Sequence, residues 1–197
     1  MSSPMENILD NTLIEEQNTQ IIYGSFWPRL WALMLDGLIF IPLYIVVFFN
    51  MLDWKSIPLM IVISIIPIIY KPYWEFRYGT TIGKKAMKLR VTNINYERPN
   101  LQEVLLRNIF YITFGILNII FSVLIFSMPE FADITEFLEY GKINQLSSGA
   151  VMLSYCSSII YLIEFVMLLI DNKKRSLHDR IGQTYVIKSL YEWQKRI

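Results

Sequence analysis

Three charged residues lie within or near the ends of long apolar stretches, where a charge needs a partner. These residues are Asp36, Arg107 and Glu164. An unpaired charge well inside hydrocarbon costs at least ~2.5 kcal/mol, so each side chain is expected to pair or to bind a ligand. Counting the helical rise from one end of each stretch places the three at a similar depth. We therefore predict one interior layer of charge, with Asn118 as a neutral ligand deeper in the third stretch.

This predicted layer has two interpretations. In the functional one, Asp36 or Glu164 binds a proton or a cation, because interior carboxylates in membrane proteins often do so. In the structural one, the layer is a closed polar network that fixes how the helices pack. The closeness of the layer to the membrane boundary favours the structural interpretation.

Arg29 begins the first apolar stretch and lies seven residues before Asp36. The two share a helical face but are about 10 Å apart along the axis, so a direct bond between them is not expected. Asp179, near the end of the chain, can meet Arg29 at the membrane boundary through a two-pronged guanidinium to carboxylate bond. Such a bond would fasten the C-terminal segment to the helices.

The sequence offers no grouping suited to catalysis. His178 is the single histidine and Cys156 the single cysteine, so no nucleophilic grouping or multi-cysteine metal site can be assembled. The motifs of zinc proteases and phosphate loops are absent. The basic residues also lack the interleaved aromatic side chains of a nucleic-acid binder. We therefore expect no enzyme, no metal, no cofactor and no nucleic-acid partner.

The elements that must hold these residues are transmembrane helices. Hydrophobic residues make up 54% of the chain and charged residues only 18%, which is below the quarter typical of soluble domains. About 20 apolar residues in a helix cross the hydrocarbon core of a lipid bilayer. Four stretches of about this length are present, at 28–49, 56–74, 104–127 and 150–170. The predicted fold class is an all-α membrane protein with a four-helix transmembrane bundle.

Basic residues orient the predicted helices. Eight lysines and arginines lie between Lys71 and Arg107 and seven follow Ile170, whereas each of the two other loops has one lysine. Cytoplasmic loops carry the excess of basic residues. Both termini are therefore predicted to be cytoplasmic, and the acidic loop 128–149 is predicted to lie outside.

The basic middle segment is predicted to form a short cytoplasmic amphipathic helix. Its apolar face holds Ile82, Ala86 and Leu89. The other face either binds anionic headgroups or acts only as an orientation signal. The basic residues of that face are Lys84, Lys85 and Lys88.

Two short segments are predicted to pair as strands at the cytoplasmic face. The first is LRVTNIN, which begins at Leu89, and the second is TYVIKSL, which begins at Thr184. An isolated strand would leave its backbone groups without partners, so pairing is expected. Between the strands, Asn100 and Glu103 are predicted to cap the start of the third long helix.

Three segments, in order, resemble the RDD family of bacterial membrane proteins, which is named for one arginine and two aspartates. The segments are FWPRLWALMLDGLIF, GTTIGKKAMKLRVTN and RSLHDRIGQTYVI, and they cover residues 24–190. The resemblance implies that Arg29, Asp36 and Asp179 are the signature residues. We accordingly divide the chain into a polar N-terminal tail at 1–22, the membrane domain at 23–190 and a C-terminal tail at 191–197.

The resemblance leaves the activity open, because ion transport has been proposed only for some members of the family. The leading hypothesis is a small transporter, or transporter component, for an ion or a small solute, with Asp36 and Glu164 as coupling groups. Four helices are few for a complete carrier, so a homo-oligomer or a membrane protein partner is expected. The alternative is an accessory or regulatory membrane protein without transport activity. The implied location is the bacterial cytoplasmic membrane.

Overall fold

The computed structural model describes residues 21–133, 136, 139 and 147–188. The C-terminal tail at 191–197 lies outside the described residues, as do the first 20 residues of the N-terminal tail. Half of the acidic loop 128–149 is also outside them.

The described chain is mainly helical, with one small sheet. Its long helices are mostly apolar, and the two strands lie at one end of them with the short helices Ile82–Ala86, Leu101–Arg107 and Leu177–Ile181. In chain order the elements are α1 (Phe26–Ile39), α2 (Ile41–Phe49), a π-helical turn (Asn50–Trp54), α3 (Ile57–Tyr78), α4 (Ile82–Ala86), β1 (Leu89–Asn93), α5 (Leu101–Arg107), α6 (Ile109–Phe126), α7 (Pro129–Ala132), α8 (Ser148–Ile170), α9 (Leu177–Ile181) and β2 (Thr184–Lys188).

Three of these helices, α3, α6 and α8, are each long and apolar enough to cross a membrane. A fourth crossing is formed if α1 and the helical run after it count as one span, since the two are bent by 50°. Pro42 lies in the first turn of α2, where its missing N–H and its ring prevent α1 from continuing straight. The predicted span 28–49 is therefore a broken helix.

The third predicted span, 104–127, is also divided. α5 ends at Arg107, and α6 begins at Ile109 after a break at Asn108. The predicted capping pair is confirmed, because the Asn100 side chain accepts from the Glu103 N–H at 2.8 Å and Glu103 accepts from the Asn100 N–H at 2.7 Å. Arg107 therefore ends a short helix ahead of the span and does not lie one turn inside it.

The predicted pairing of the two strands is confirmed. β1 and β2 are antiparallel, with Val91 opposite Val186. Both valines are buried with Leu89 against Ala32 of α1, so the sheet is packed onto the first helix. We call β1, β2, α4, α5 and α9 together the sheet end of the domain.

The amphipathic helix is shorter than predicted. α4 stops at Ala86, and Lys88 adopts a left-handed φ of 56°. Leu89 then begins β1, where its side chain is buried. A single helical face that includes Lys88 and Leu89 is therefore wrong, because the turn at Lys88 converts the chain from helix to strand.

Candidate functional site

Five charged side chains at the sheet end form one continuous chain of ion pairs, which we call the charge network. Arg29 binds Asp179 with 2.5 Å between Nη1 and Oδ2, and Asp179 also pairs directly with Arg107. Arg107 contacts Glu75 with 3.3 Å between Nε and Oε2, and Glu75 pairs directly with Lys84. Signs alternate along the network, so every member has an opposite charge beside it.

Asp179 is the fully buried centre of this network. It is the third residue of α9, and its carboxylate accepts the Ser176 N–H at 3.1 Å in a capping box. Burial disfavours its charge, but Arg107 and Arg29 outweigh burial and hold the pKa of Asp179 well below its usual range. The predicted pairing of Arg29 with Asp179 is confirmed, but the bond is not two-pronged, because Nη2 and Nε of Arg29 donate to the Lys174 and Gly24 carbonyls instead.

The predicted layer of Asp36, Arg107 and Glu164 is not formed. Arg107 faces Asp179 and Glu75 instead, because the break after α5 places it between α9 and α3. Gly182 allows this approach, since an added Cβ there would lie 2.6 Å from the Cβ of Arg107. The interior charges are thus satisfied in separate places.

Glu75 is the functional residue that the sequence analysis missed. The second span was predicted to end at Trp74, which left Glu75 outside the membrane, whereas α3 continues to Tyr78. Its side chain is fully buried and also accepts from Asn108 Nδ2 at 2.8 Å. An acid directly following a long apolar run was the available signal.

Lys84 does not face lipid as predicted. Its side chain turns inward from α4 to Glu75. Burial lowers the pKa of Lys84 to about 8, although the Glu75 carboxylate acts in the opposite direction. Lys85 and Lys88 are exposed at the surface, so two of the three predicted basic residues remain available for headgroups.

Asp36 is held by three neutral donors. It accepts from Tyr70 Oη at 2.8 Å, from Thr81 Oγ1 at 2.6 Å and from the Gly83 N–H at 2.7 Å. No ion pair joins it to a basic residue in the described part of the chain. This carboxylate therefore ties α1 to α3 and to the start of α4 without a counter-charge.

Glu164 pairs with the single histidine. Its Oε1 lies 2.9 Å from His178 Nδ1, and the two side chains are 17% and 19% exposed. Burial lowers the pKa of His178, against the opposing effect of Asp179. His178 thus connects α8 to α9.

A cavity of about 540 Å³ lies between the apolar helices α2, α3, α6 and α8. We call it the membrane cavity. Asn118 lines it, so Asn118 is separated from the interior carboxylates with which it was grouped. No charged side chain lines it, but many polar ones do. They are Tyr44, Ser64, Tyr111, Asn118, Ser122, Ser154, Ser157 and Tyr161.

The sequence analysis did not find this cavity, because hydroxyl groups inside an apolar run do not lower its hydropathy enough to stand out. The spacing of Ser154, Ser157 and Tyr161 was the available signal, since residues three or four apart share one helical face. Across the described residues, no group of three or more His, Cys, Asp or Glu side chains could hold a metal ion.

The apolar helices and the paired charges at their sheet end together define a helical membrane protein. Comparison with known families matches the RDD family over residues 23–183, and the chain belongs to that family. The searches of curated proteins and of solved structures found no match. Asp179 lies within the sheet end, and the other two signature residues contact it from α1. Arg29 binds Asp179, and Asp36 is held by α3 and by the start of α4.

Proposed function

We propose that this membrane protein is a small transporter, or a transporter component, that moves a small polar solute or an ion through the membrane cavity. The observation that carries the proposal is a cavity of about 540 Å³ lined by eight polar side chains between helices that are otherwise apolar. This volume is in the usual range for small-molecule sites. Polar groups at membrane depth without a partner are costly, so their concentration around one space favours a functional role.

The interior carboxylates lie on the sheet-end side of this cavity. Tyr111 lines the cavity and donates to the Pro67 carbonyl of α3 at 2.8 Å. One turn later on α3, Tyr70 donates to Asp36. On α8, Tyr161 lines the cavity and Glu164 follows three residues later, on the same face. A solute moving from the cavity toward the sheet end would meet both carboxylates, and we retain them as the coupling groups of this proposal.

A complete carrier of this kind requires more than one chain. Alternating-access carriers usually move two repeats against each other around a fixed site, whereas this chain has three to four candidate spans. We propose that a homo-oligomer or a membrane protein partner supplies the remaining helices.

The second candidate function is an accessory or regulatory membrane protein without transport activity. The charge network favours this candidate, because each of its five members is paired and its central members are fully buried. A closed network of this kind resists the exposure of its charges that a transport cycle would require.

The basic residues support an orientation in the bacterial cytoplasmic membrane with the sheet end and both termini in the cytoplasm. We expect a cysteine introduced at Lys88, in a Cys156→Ser background, to react with an impermeant thiol reagent only after the cells are opened. Labelling from outside intact cells would contradict the orientation. A cysteine at Glu130, beyond α6, is the matched control and should react from outside.

Flux into proteoliposomes that carry the full chain tests the transport proposal. We expect the protein to accelerate movement of at least one solute under gradients of pH, sodium, potassium or an uncharged solute. Asn118→Leu should slow that flux roughly tenfold, because it removes a hydrogen-bonding group from the cavity. Ser158→Ala, on α8 but outside the cavity lining, should leave the flux unchanged.

Two further variants test the coupling groups. Flux lost in folded Asp36→Asn and Glu164→Gln proteins would support a carboxylate-coupled transporter. Flux retained in both would limit these residues to structural roles. If the unaltered protein moves nothing under any gradient, self-sufficient transport is contradicted and the accessory role becomes the working proposal.

A further inference from the structure

The lining of the membrane cavity carries an inference about the class of ligand, which rests on the proposed function. Every lining side chain is neutral, and no aspartate, glutamate, lysine or arginine is among them. A charged ligand entering a space between apolar helices would therefore find no opposite charge on the wall. Burying an unpaired charge is far more costly than burying a hydroxyl that can form hydrogen bonds.

A nearby lysine further disfavours a cation. The Lys71 ammonium group lies 5.0 Å above the centre of the Tyr111 ring, and that ring is part of the cavity wall. Lys71 makes no ion pair with a carboxylate in the described part of the chain, although Glu75 and Glu164 are close enough for their charges to interact with it. A second positive charge beside this ring would be repelled.

Several polar groups of the wall are without partners. The side chains of Asn118, Ser122 and Ser154 line the cavity and make no hydrogen bond within the described residues; Asn118 and Ser154 are exposed and Ser122 is half-buried. Asn118 offers both a carbonyl acceptor and an amide donor, and each serine hydroxyl can donate and accept. These groups match a ligand that also carries both donors and acceptors, as an alcohol does.

The size and the aromatic part of the wall point to a ligand of several heavy atoms. At about 30 Å³ for each water in the liquid, the cavity has room for roughly 18 waters. A bare ion would leave most of this space filled with water. Phe114, Phe121 and the tyrosine rings provide apolar surface beside the hydroxyls, and such a mixed wall suits C–H groups alternating with O–H groups.

We propose that the membrane cavity binds an uncharged, hydroxyl-bearing solute of polyol or monosaccharide type. Asn118 and Ser154 bind its hydroxyl groups from α6 and α8, and the aromatic rings cover its C–H faces.

Equilibrium binding to the purified full chain in detergent tests this proposal, with radiolabelled glycerol, xylitol and glucose as uncharged probes. Sodium, potassium and acetate serve as the charged probes. We expect saturable binding of at least one uncharged probe and of none of the charged ones. Asn118→Leu should weaken that binding at least tenfold, and Ser154→Ala should weaken it several-fold. Ser158→Ala is the matched control and should bind like the unaltered chain.

The outcomes separate this inference from the transport proposal. Saturable binding of an uncharged probe that depends on Asn118 supports the ligand class even if flux fails, since the chain would then bind the solute without moving it. Saturable binding of a cation or of acetate alone overturns the ligand class while leaving transport open. Absence of saturable binding for all three uncharged probes also overturns it. Equal binding in the unaltered and Asn118→Leu proteins, both folded by thermal unfolding, overturns the assignment to this cavity.

Discussion

Replacing Asp179 with asparagine is expected to lower the free energy of unfolding by about 3–5 kcal/mol, which is typical when one member of a buried ion pair is removed. Asp179 is fully buried and is the only carboxylate between Arg29 and Arg107 in the charge network. Without its charge, Arg29 keeps only backbone acceptors, at the Gly24 and Lys174 carbonyls. Denaturation in detergent, followed by tryptophan fluorescence, measures the loss.

Asp171→Asn is the matched control for this variant. Asp171 also pairs with two arginines and its own side chain is 8% exposed, but its partners Arg175 and Arg180 are 30% and 46% exposed, so both arginines keep water if the carboxylate is lost. Exposed pairs contribute about 0–1 kcal/mol, so this variant should stay close to the unaltered protein. Equal losses in the two variants would contradict the central role of Asp179.

The contribution of Asp179 to the free energy of unfolding should change with pH in a definite direction. Because the pKa of Asp179 is depressed in the folded protein, its carboxylate stabilises the fold above its unfolded pKa of about 4. That contribution is lost as the pH falls through the lower, folded value. The stability of the unaltered protein and of Asp179→Asn should therefore converge in strong acid and remain apart at neutral pH.

Gly83→Ala is the second change expected to have a large effect, with a loss of about 1–3 kcal/mol or more as for an overpacked core. An added Cβ at Gly83 would lie 2.1 Å from the Ala32 carbonyl oxygen and 2.9 Å from Cγ of Asp36. The first contact is with the backbone of α1, which cannot rotate away. α4 must therefore move off α1, which stretches the bond from the Gly83 N–H to Asp36. Loss of stability in the same unfolding assay is the expected result.

Gly37→Ala provides the comparison for the second change. Gly37 lies on α1, one residue after Asp36, and nothing lies within 4 Å of an added Cβ there. Alanine is the better helix former by about 1 kcal/mol at an interior position, so this variant should be neutral or slightly more stable. Equal destabilisation by both substitutions would mean that the close approach at Gly83 does not hold α4 in place.

The apolar spans and one of the four ion pairs of the charge network could be predicted from the sequence for clear physical reasons. Hydrocarbon requires long apolar helices, which leave an unmistakable pattern. Arg29 and Asp179 could be matched because Arg29 begins the first span at the membrane boundary, where the segment that holds Asp179 can return to meet it. The strands could be paired because a strand of this length must find a partner for its backbone.

The rest of the network depended on local breaks that the apolar pattern does not record. The break at Asn108 turns Arg107 away from Asp36, and the extension of α3 past Trp74 brings Glu75 into the interior. The turn at Lys88 ends the amphipathic pattern and leaves Lys84 facing Glu75. Each break is set by a few residues, whereas hydropathy averages over about twenty.

The structure divides the polar residues of the protein between two regions. The charge network lies at the sheet end, where each charge is matched by an opposite one and the helices are held together. The membrane cavity lies farther along α3, α6 and α8, where neutral polar and aromatic side chains surround an open space. The ion pair of Arg29 with Asp179 gives two of the family's charged residues a structural role, whereas the site that we propose for a ligand is the membrane cavity.

The claim that Asp179 joins Arg29 to the network is tested most directly by a double-mutant cycle on the free energy of unfolding, with Arg29→Gln and Asp179→Asn singly and together. Residues in direct contact within one network interact by about 0.5–3 kcal/mol, whereas independent sites add within about 0.5 kcal/mol. We predict that the double variant loses at least ~1 kcal/mol less than the sum of the two single losses. As a control, Arg77→Gln at an exposed position is combined with Asp179→Asn, and the two losses should be additive. Additive losses for Arg29 and Asp179 as well would contradict the account.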